Sequence, residues 1–167
     1  MLFTSGCGYT TTGLGSSSSK TIYVSNFINK INPTEETSDS KMHIAYKSGM
    51  EFDVTRDLIN RFIVDGNMRI ANQTDADLVL SGELVDFRKE PLRYDTADNV
   101  IEYRIKVTAI ITLIDNKTNN ILKDAQRFTG ESIYRTTGEY AKSEDLAVKD
   151  AVKDLGTRLI ENIIEDW

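Results

Sequence analysis

"IEYRIKVTAIITLID", residues 101–115, decides the fold. Ile101, Tyr103, Ile105, Val107, Ala109, Ile111 and Leu113 occupy every second position, against Glu102, Arg104, Lys106, Thr108 and Thr112. A period of two sustained this long belongs to a β-strand with one buried and one wet face. "DNKTNN" at 115–120 is a turn cluster, and the run from Ile121 to Phe128 and on to Tyr134 is β-compatible again. The two runs are therefore expected to form a long antiparallel hairpin.

Working outward, "ADLVLSGELVDF" at 76–87 reads as another strand, with Leu78, Leu80 and Leu84 on one face and Val79, Val85 and Phe87 on the other. Gly82 inside it points to a sheet edge or to the close approach of another group. Met68 to Ile70 is expected to be a short strand, and "TIYVSNF" at 21–27 the first strand, followed by a polar loop from Asn32-Pro33 to Ser40. Between them the period changes. From about Gly49, Val54, Leu58 and Phe62, with Ile59 and Ile63 beside them, fall at helical spacing, and Asp65-Gly66-Asn67 supplies a stop.

At the other end of the chain, Ser143 with Glu144 and Asp145 offers a cap and acids suited to a helix N-terminus. The helix it opens has Val148, Ala151, Val152, Leu155, Leu159 and Ile163 as its apolar face, widened by Ile160 and Ile164. The expected fold class is α+β: a two-layer sandwich of four or five mostly antiparallel strands, with both helices packed on one face of the sheet.

The chain has 167 residues, room for a single domain over 21–167. A domain of that size buries about two-thirds of its unfolded surface and needs no covalent staples; the one cysteine, Cys7, can form no internal disulfide. The formal charge is -6, and 20 Lys and Arg are interspersed among 26 Asp and Glu, so there is no basic stripe for a phosphate backbone and nucleic acid is not an expected partner. No stretch of about 18 apolar residues occurs to span a bilayer as a helix.

The sequence carries no catalytic constellation. His43, the only histidine, stands in "SKMHIAYKSG" without cysteine or clustered carboxylates at ligand spacing, and reads as a loop residue, not a metal ligand. "GLGSSSSK", ending at Lys20, follows no strand and opens no helix, so it is no phosphate loop. Glu35 with Glu36, and Asp75 with Asp77, lie in polar loops or at strand ends, where solvation explains them. The alternating charges of "KSEDLAVKDAVK" at 142–153 are those of a solvated helix face. The expectation is a protein that is not an enzyme and carries no cofactor or metal. One basic cluster stands out: "RKEPLRYDTADN" at 88–99 reads as a loop joining two strands, and its Arg88, Lys89 and Arg93 can meet phosphate groups of a ligand. Acids interrupt it, as in an ordinary soluble loop.

The N-terminus carries a different message. Thr4-Ser5-Gly6 precede Cys7, small residues of the kind a lipoprotein signal peptidase requires before a lipid-modified cysteine, with Thr4 where leucine is usual. Gly8 to Ser19 is a Thr, Gly and Ser tract too poor in apolar side chains to offset its ordering entropy. Residues 1–6 read as the remnant of a signal peptide, Cys7 as the lipid attachment point, and 7–20 as a flexible tether. Two or three acyl chains on one cysteine anchor a protein stably, at about 0.8 kcal/mol per buried methylene. Gly8, which is not aspartate, leans toward the outer membrane.

Taken together, "GCGY" at 6–9, "IYVSNFIN" at 22–29, "FDVTRDLINRF" at 52–62, "ADLVLSGELVDF" at 76–87, "EYRIKVTAIITLID" at 102–115, "FTGESIY" at 128–134 and the terminal Asp166-Trp167 resemble the LptE family. The order and spacing of these pieces agree over almost the whole chain. The resemblance implies a non-enzymatic, lipid-anchored partner of the LptD β-barrel, held at the periplasmic side of the outer membrane and assisting lipopolysaccharide transport and assembly. It also implies lipopolysaccharide as a ligand, for which Arg88, Lys89, Arg93 and the turn residue Lys117 are the basic candidates. The alternative is another periplasmic lipoprotein that binds a cell-wall synthase or a secretion component.

Overall fold

The computed structural model describes residues 20–31 and 48–165. Cys7, His43 and the Glu35-Glu36 pair lie outside the described residues. Along the chain run β1 (Thr21–Val24), β2 (Ile28–Asn29), α1 (Met50–Asp65), β3 (Arg69–Ile70), β4 (Leu78–Tyr94), β5 (Val100–Asp115), β6 (Ile121–Arg135) and α2 (Glu144–Ile164). The fold is α+β, and the long β5–β6 hairpin is antiparallel as expected, its pairing running from Ile114 opposite Ile121 to Glu102 opposite Arg135 with register shifts between Ile111 and Ile114.

The sheet is mixed, in the order β3-β1-β4-β5-β6, with β2 also pairing β4. β1 runs parallel to β3 and to β4, and β2 runs parallel to β4. The parallel pairs follow from connectivity: β1 reaches β3 by a crossover through α1, and crossovers join parallel neighbours where tight turns join antiparallel ones. The sixth strand arises because the first predicted strand breaks after Val24. At the break the N–H of Phe27 donates to Thr55 Oγ1 of α1 at 3.0 Å, and the Phe27 ring turns over Gly82. A Cβ at Gly82 would stand 2.3 Å from that ring, so close approach explains this glycine.

Both helices begin and end where their caps dictate. α1 is bounded by Gly49 and Gly66, each in the left-handed region at φ 97° and 75°. α2 opens on Ser143, whose side chain accepts from the Leu146 N–H. Val54, Leu58 and Phe62 of α1 and Ala151, Leu155, Leu159 and Ile163 of α2 join one core with Leu78, Leu80 and Leu84 of β4 and with Ile105 to Leu113 of β5. The helices thus cover one face of the sheet and pack on each other. Gly156 of α2 leaves room for the Asp57–Arg61 pair of α1, and Arg61 Nη1 donates to Thr157 Oγ1 at 2.8 Å.

Two sequence readings of β4 are corrected. Phe87 belongs to the core face with Leu84, only 1% exposed, and not to the opposite face. The register against β5 shifts between Leu84 and Asp86, so one extra residue enters the strand and reverses the side on which its successors point. Residues 88–94, expected in a loop, continue β4; only Asp95 to Asn99 form the turn. Their polar, non-alternating sequence hides a strand that pairing with β5 supplies. Pro91 is tolerated because β4 beyond Leu84 has no neighbour on its other side among the described residues.

Candidate functional site on the uncovered sheet face

Among the described residues nothing covers the other face of the sheet, and its composition changes along the strands. Toward the β4–β5 turn it carries a ladder of alternating charge across three strands. Lys106 Nζ of β5 binds Glu90 Oε1 of β4 at 3.1 Å, and Arg104 stands between Glu90 at 4.0 Å and Glu131 of β6 at 3.7 Å. Arg135 and Glu102 pair beyond it at 3.1 Å. Toward the opposite end, Val79 of β4 and Ile110 and Ile114 of β5 are half-buried on the same face. Thr108, expected on the wet face, is nearly buried in the middle, its hydroxyl 3.0 Å from that of Thr129 across the hairpin. Such a surface can match a partner by charge and shape; among the described residues no nucleophile is set beside a base along it.

The four basic residues singled out from the sequence are not brought together. Arg88 lies on the uncovered face and binds Asp86 at 2.7 Å. Lys89 points to the helix side, where Nζ binds Glu144 Oε2 at 2.5 Å and sits 4.4 Å from the centre of the Tyr103 ring, itself stacked on Tyr134. Burial works against the Lys89 ammonium, yet its bonds to Glu144 and Tyr134 outweigh it and hold its pKa above that of an ordinary lysine. Arg93 is exposed near the β4–β5 turn. Lys117 stands at the other end of the hairpin, roughly 50 Å of strand away. The alternation of residues 101–115 announced Arg104 and Lys106; their partner Glu90 went unseen because its segment reads as a loop.

Lys117 instead closes a latch on the first strand. Its ammonium binds Asp77 Oδ1 at 2.5 Å, while Asp77 Oδ2 accepts from the N–H and the hydroxyl of Thr21, both at 2.9 Å. The bond from Lys117, then the two donors of Thr21, hold the Asp77 carboxyl well below the usual carboxylate range. A carboxyl depressed in this way stabilises the fold above its unfolded pKa of about 3.9 and loses that contribution as pH falls further. Asp77→Asn is therefore expected to be less stable than the parent at pH 7, with the gap closing below about pH 4. Urea unfolding at the two pH values checks this; a gap that stays constant would show that the charge of Asp77 does not matter.

Among the described residues no three His, Cys, Asp or Glu side chains converge to hold a metal ion, and no helix is long and apolar enough to cross a membrane. The family model for lipopolysaccharide-assembly LptE matches residues 19–164, most of the chain. The chain belongs to the LptE family. This places it in a family of lipopolysaccharide-assembly lipoproteins. No curated protein matches it in sequence.

Solved structures agree on the LptE-like fold. The chain is similar to the uncharacterized lipoprotein B of Nitrosomonas europaea, with 14% identity, TM-score 0.53, and 86% of this chain and 81% of the other covered. A minor lipoprotein of Acinetobacter baumannii matches with 11% identity and TM-score 0.53, covering 89% and 94%. The hypothetical protein CT253 of Chlamydia trachomatis matches with 8% identity and TM-score 0.51, covering 89% and 95%. At these identities the likeness is one of fold alone.

Proposed function

We propose that this LptE-family chain is a lipid-anchored partner of an LptD-type β-barrel, tied through Cys7 to the periplasmic side of the outer membrane, where it assists lipopolysaccharide transport and assembly and catalyses no reaction. The observation that carries the reading is the family match over residues 19–164. The uncovered sheet face supports it. Its charged ladder suits a water-filled barrel interior, which is polar where the outside of the barrel is apolar. Residues 7–20 serve as the tether between the acylated cysteine and Thr21, where the Asp77 latch receives the chain. Arg93, exposed and without an ion pair among the described residues, remains the basic candidate for a lipopolysaccharide phosphate.

Affinity purification of the tagged full-length protein from detergent-solubilised membranes tests the reading. A large β-barrel protein is expected to co-purify in comparable amount, and Cys7→Ala is expected to abolish incorporation of a labelled fatty acid into the protein. Recovery of a cell-wall synthase or a secretion component in place of the barrel would overturn it.

A further inference from the structure

Among the described strands β6 lies at the edge of the sheet, and an edge strand 15 residues long exposes a row of backbone donors and acceptors unless something covers them. The fold covers one end of it. The N–H of Glu131 donates to Asp154 Oδ2 of α2 at 2.9 Å, and the C=O of Arg135 accepts from the N–H of Lys142 at 3.0 Å. Both groups point away from β5. From Arg127 to Glu131 the pairing with β5 runs without a register shift, so the N–H and C=O of Arg127 and Thr129 point outward too. No described residue bonds them.

A groove of about 510 Å³ runs beside this stretch, between the β6 edge and the C-terminal half of α2. Its α2 wall is acidic. Arg158 is taken up by Asp154 at 2.8 Å, so Glu161 and Glu165 carry the charge of this wall, with Arg127 on the β6 side of the groove. Asn162 in the same wall has a buried Oδ1 with no hydrogen-bond partner, an acceptor waiting for a donor.

We propose that the β6 edge at Arg127 and Thr129 is a strand-addition site, which takes an extended segment of a partner protein bearing lysine or arginine on the side turned toward α2. Main-chain bonds to Arg127 and Thr129 supply the affinity, and alternate side chains falling between Glu161 and Glu165 supply the selectivity. A second copy of this chain does not fit the edge. Gly130 brings α2 so close over β6 that a Cβ there would lie 2.2 Å from the Ala151 carbonyl oxygen. Two such edges paired at about 4.8 Å would force two helices together that need about 8–10 Å between axes. The site goes beyond the barrel partnership, and failure of that partnership leaves it standing.

The test is amide hydrogen exchange on the full chain with a nine-residue peptide of alternating lysine and valine at about 1 mM. Exchange at Arg127 and Thr129 is expected to slow about tenfold, with little change when the peptide alternates glutamate and valine. Arg127→Pro is expected to abolish the protection and leave the other β6 amides as they were, because proline is tolerated where an edge N–H faces solvent. No protection by the lysine peptide, equal protection by the glutamate peptide, or protection that survives Arg127→Pro would each overturn the proposal. So would a concentration-dependent dimer that Arg127→Pro dissolves, since the edge would then serve self-association.

Discussion

Gly130→Ala is expected to destabilise the protein by about 3 kcal/mol or more, although alanine in a strand normally improves on glycine. The sign is set by α2. A Cβ built at Gly130 meets the Ala151 carbonyl oxygen at 2.2 Å, the Leu155 nitrogen at 2.3 Å and the Leu155 Cβ at 2.6 Å. Two of these are backbone atoms of a helix whose inner face, Ala151 and Leu155, is wholly buried. They cannot swing away as a side-chain tip does. Accommodation means lifting the helix from β6, which opens the packing of Leu155 and Leu159 and stretches the bond that caps Glu131. For a domain of this size each kcal/mol lowers Tm by about 2–4 °C, so thermal unfolding should show a fall of roughly 6–12 °C. A neutral or stabilised variant would mean that α2 rides on β6 with slack, and it would remove the steric case against edge-to-edge dimers.

Phe87→Ala is expected to cost about 3–5 kcal/mol, the range for truncating a fully buried phenylalanine. This result discriminates between two registers. With regular alternation from Leu78, Phe87 would lie on the uncovered face beside Val79, and its loss would cost under about 1 kcal/mol. The irregularity at Val85 instead turns the ring into the core, where it stands opposite Val107. Urea unfolding of Phe87→Ala beside Val79→Ala measures both positions, and a small loss at Phe87 would contradict the bulge.

The elements that were legible share a physical cause: each announces itself locally. The β5 alternation, the "DNKTNN" turn, the Gly66 stop and the Ser143 cap are properties of a few neighbouring residues, and all stand where the sequence places them. The misplaced features depend on a partner distant in the chain. Residues 88–94 are extended only because β5 lies beside them, and Phe87 changes sides only because the ladder with β5 slips by one residue. The basic residues divide in the same way. Arg88, Lys89 and Arg93 are neighbours in sequence, yet a pleated strand sends Arg88 and Lys89 to opposite faces, one to Asp86 and the other to Glu144.

Local sequence was enough for the α+β class, the two amphipathic helices on one face of the sheet and the long hairpin, because periodicity, caps and composition are carried by residues close together. Only the tertiary fold set the parallel placement of β1 against β4, the charged ladder of Glu90, Arg104, Lys106 and Glu131, and the partly covered edge of β6. Each of these joins groups far apart in the chain, and no local pattern encodes which distant residue a side chain or an edge amide will meet.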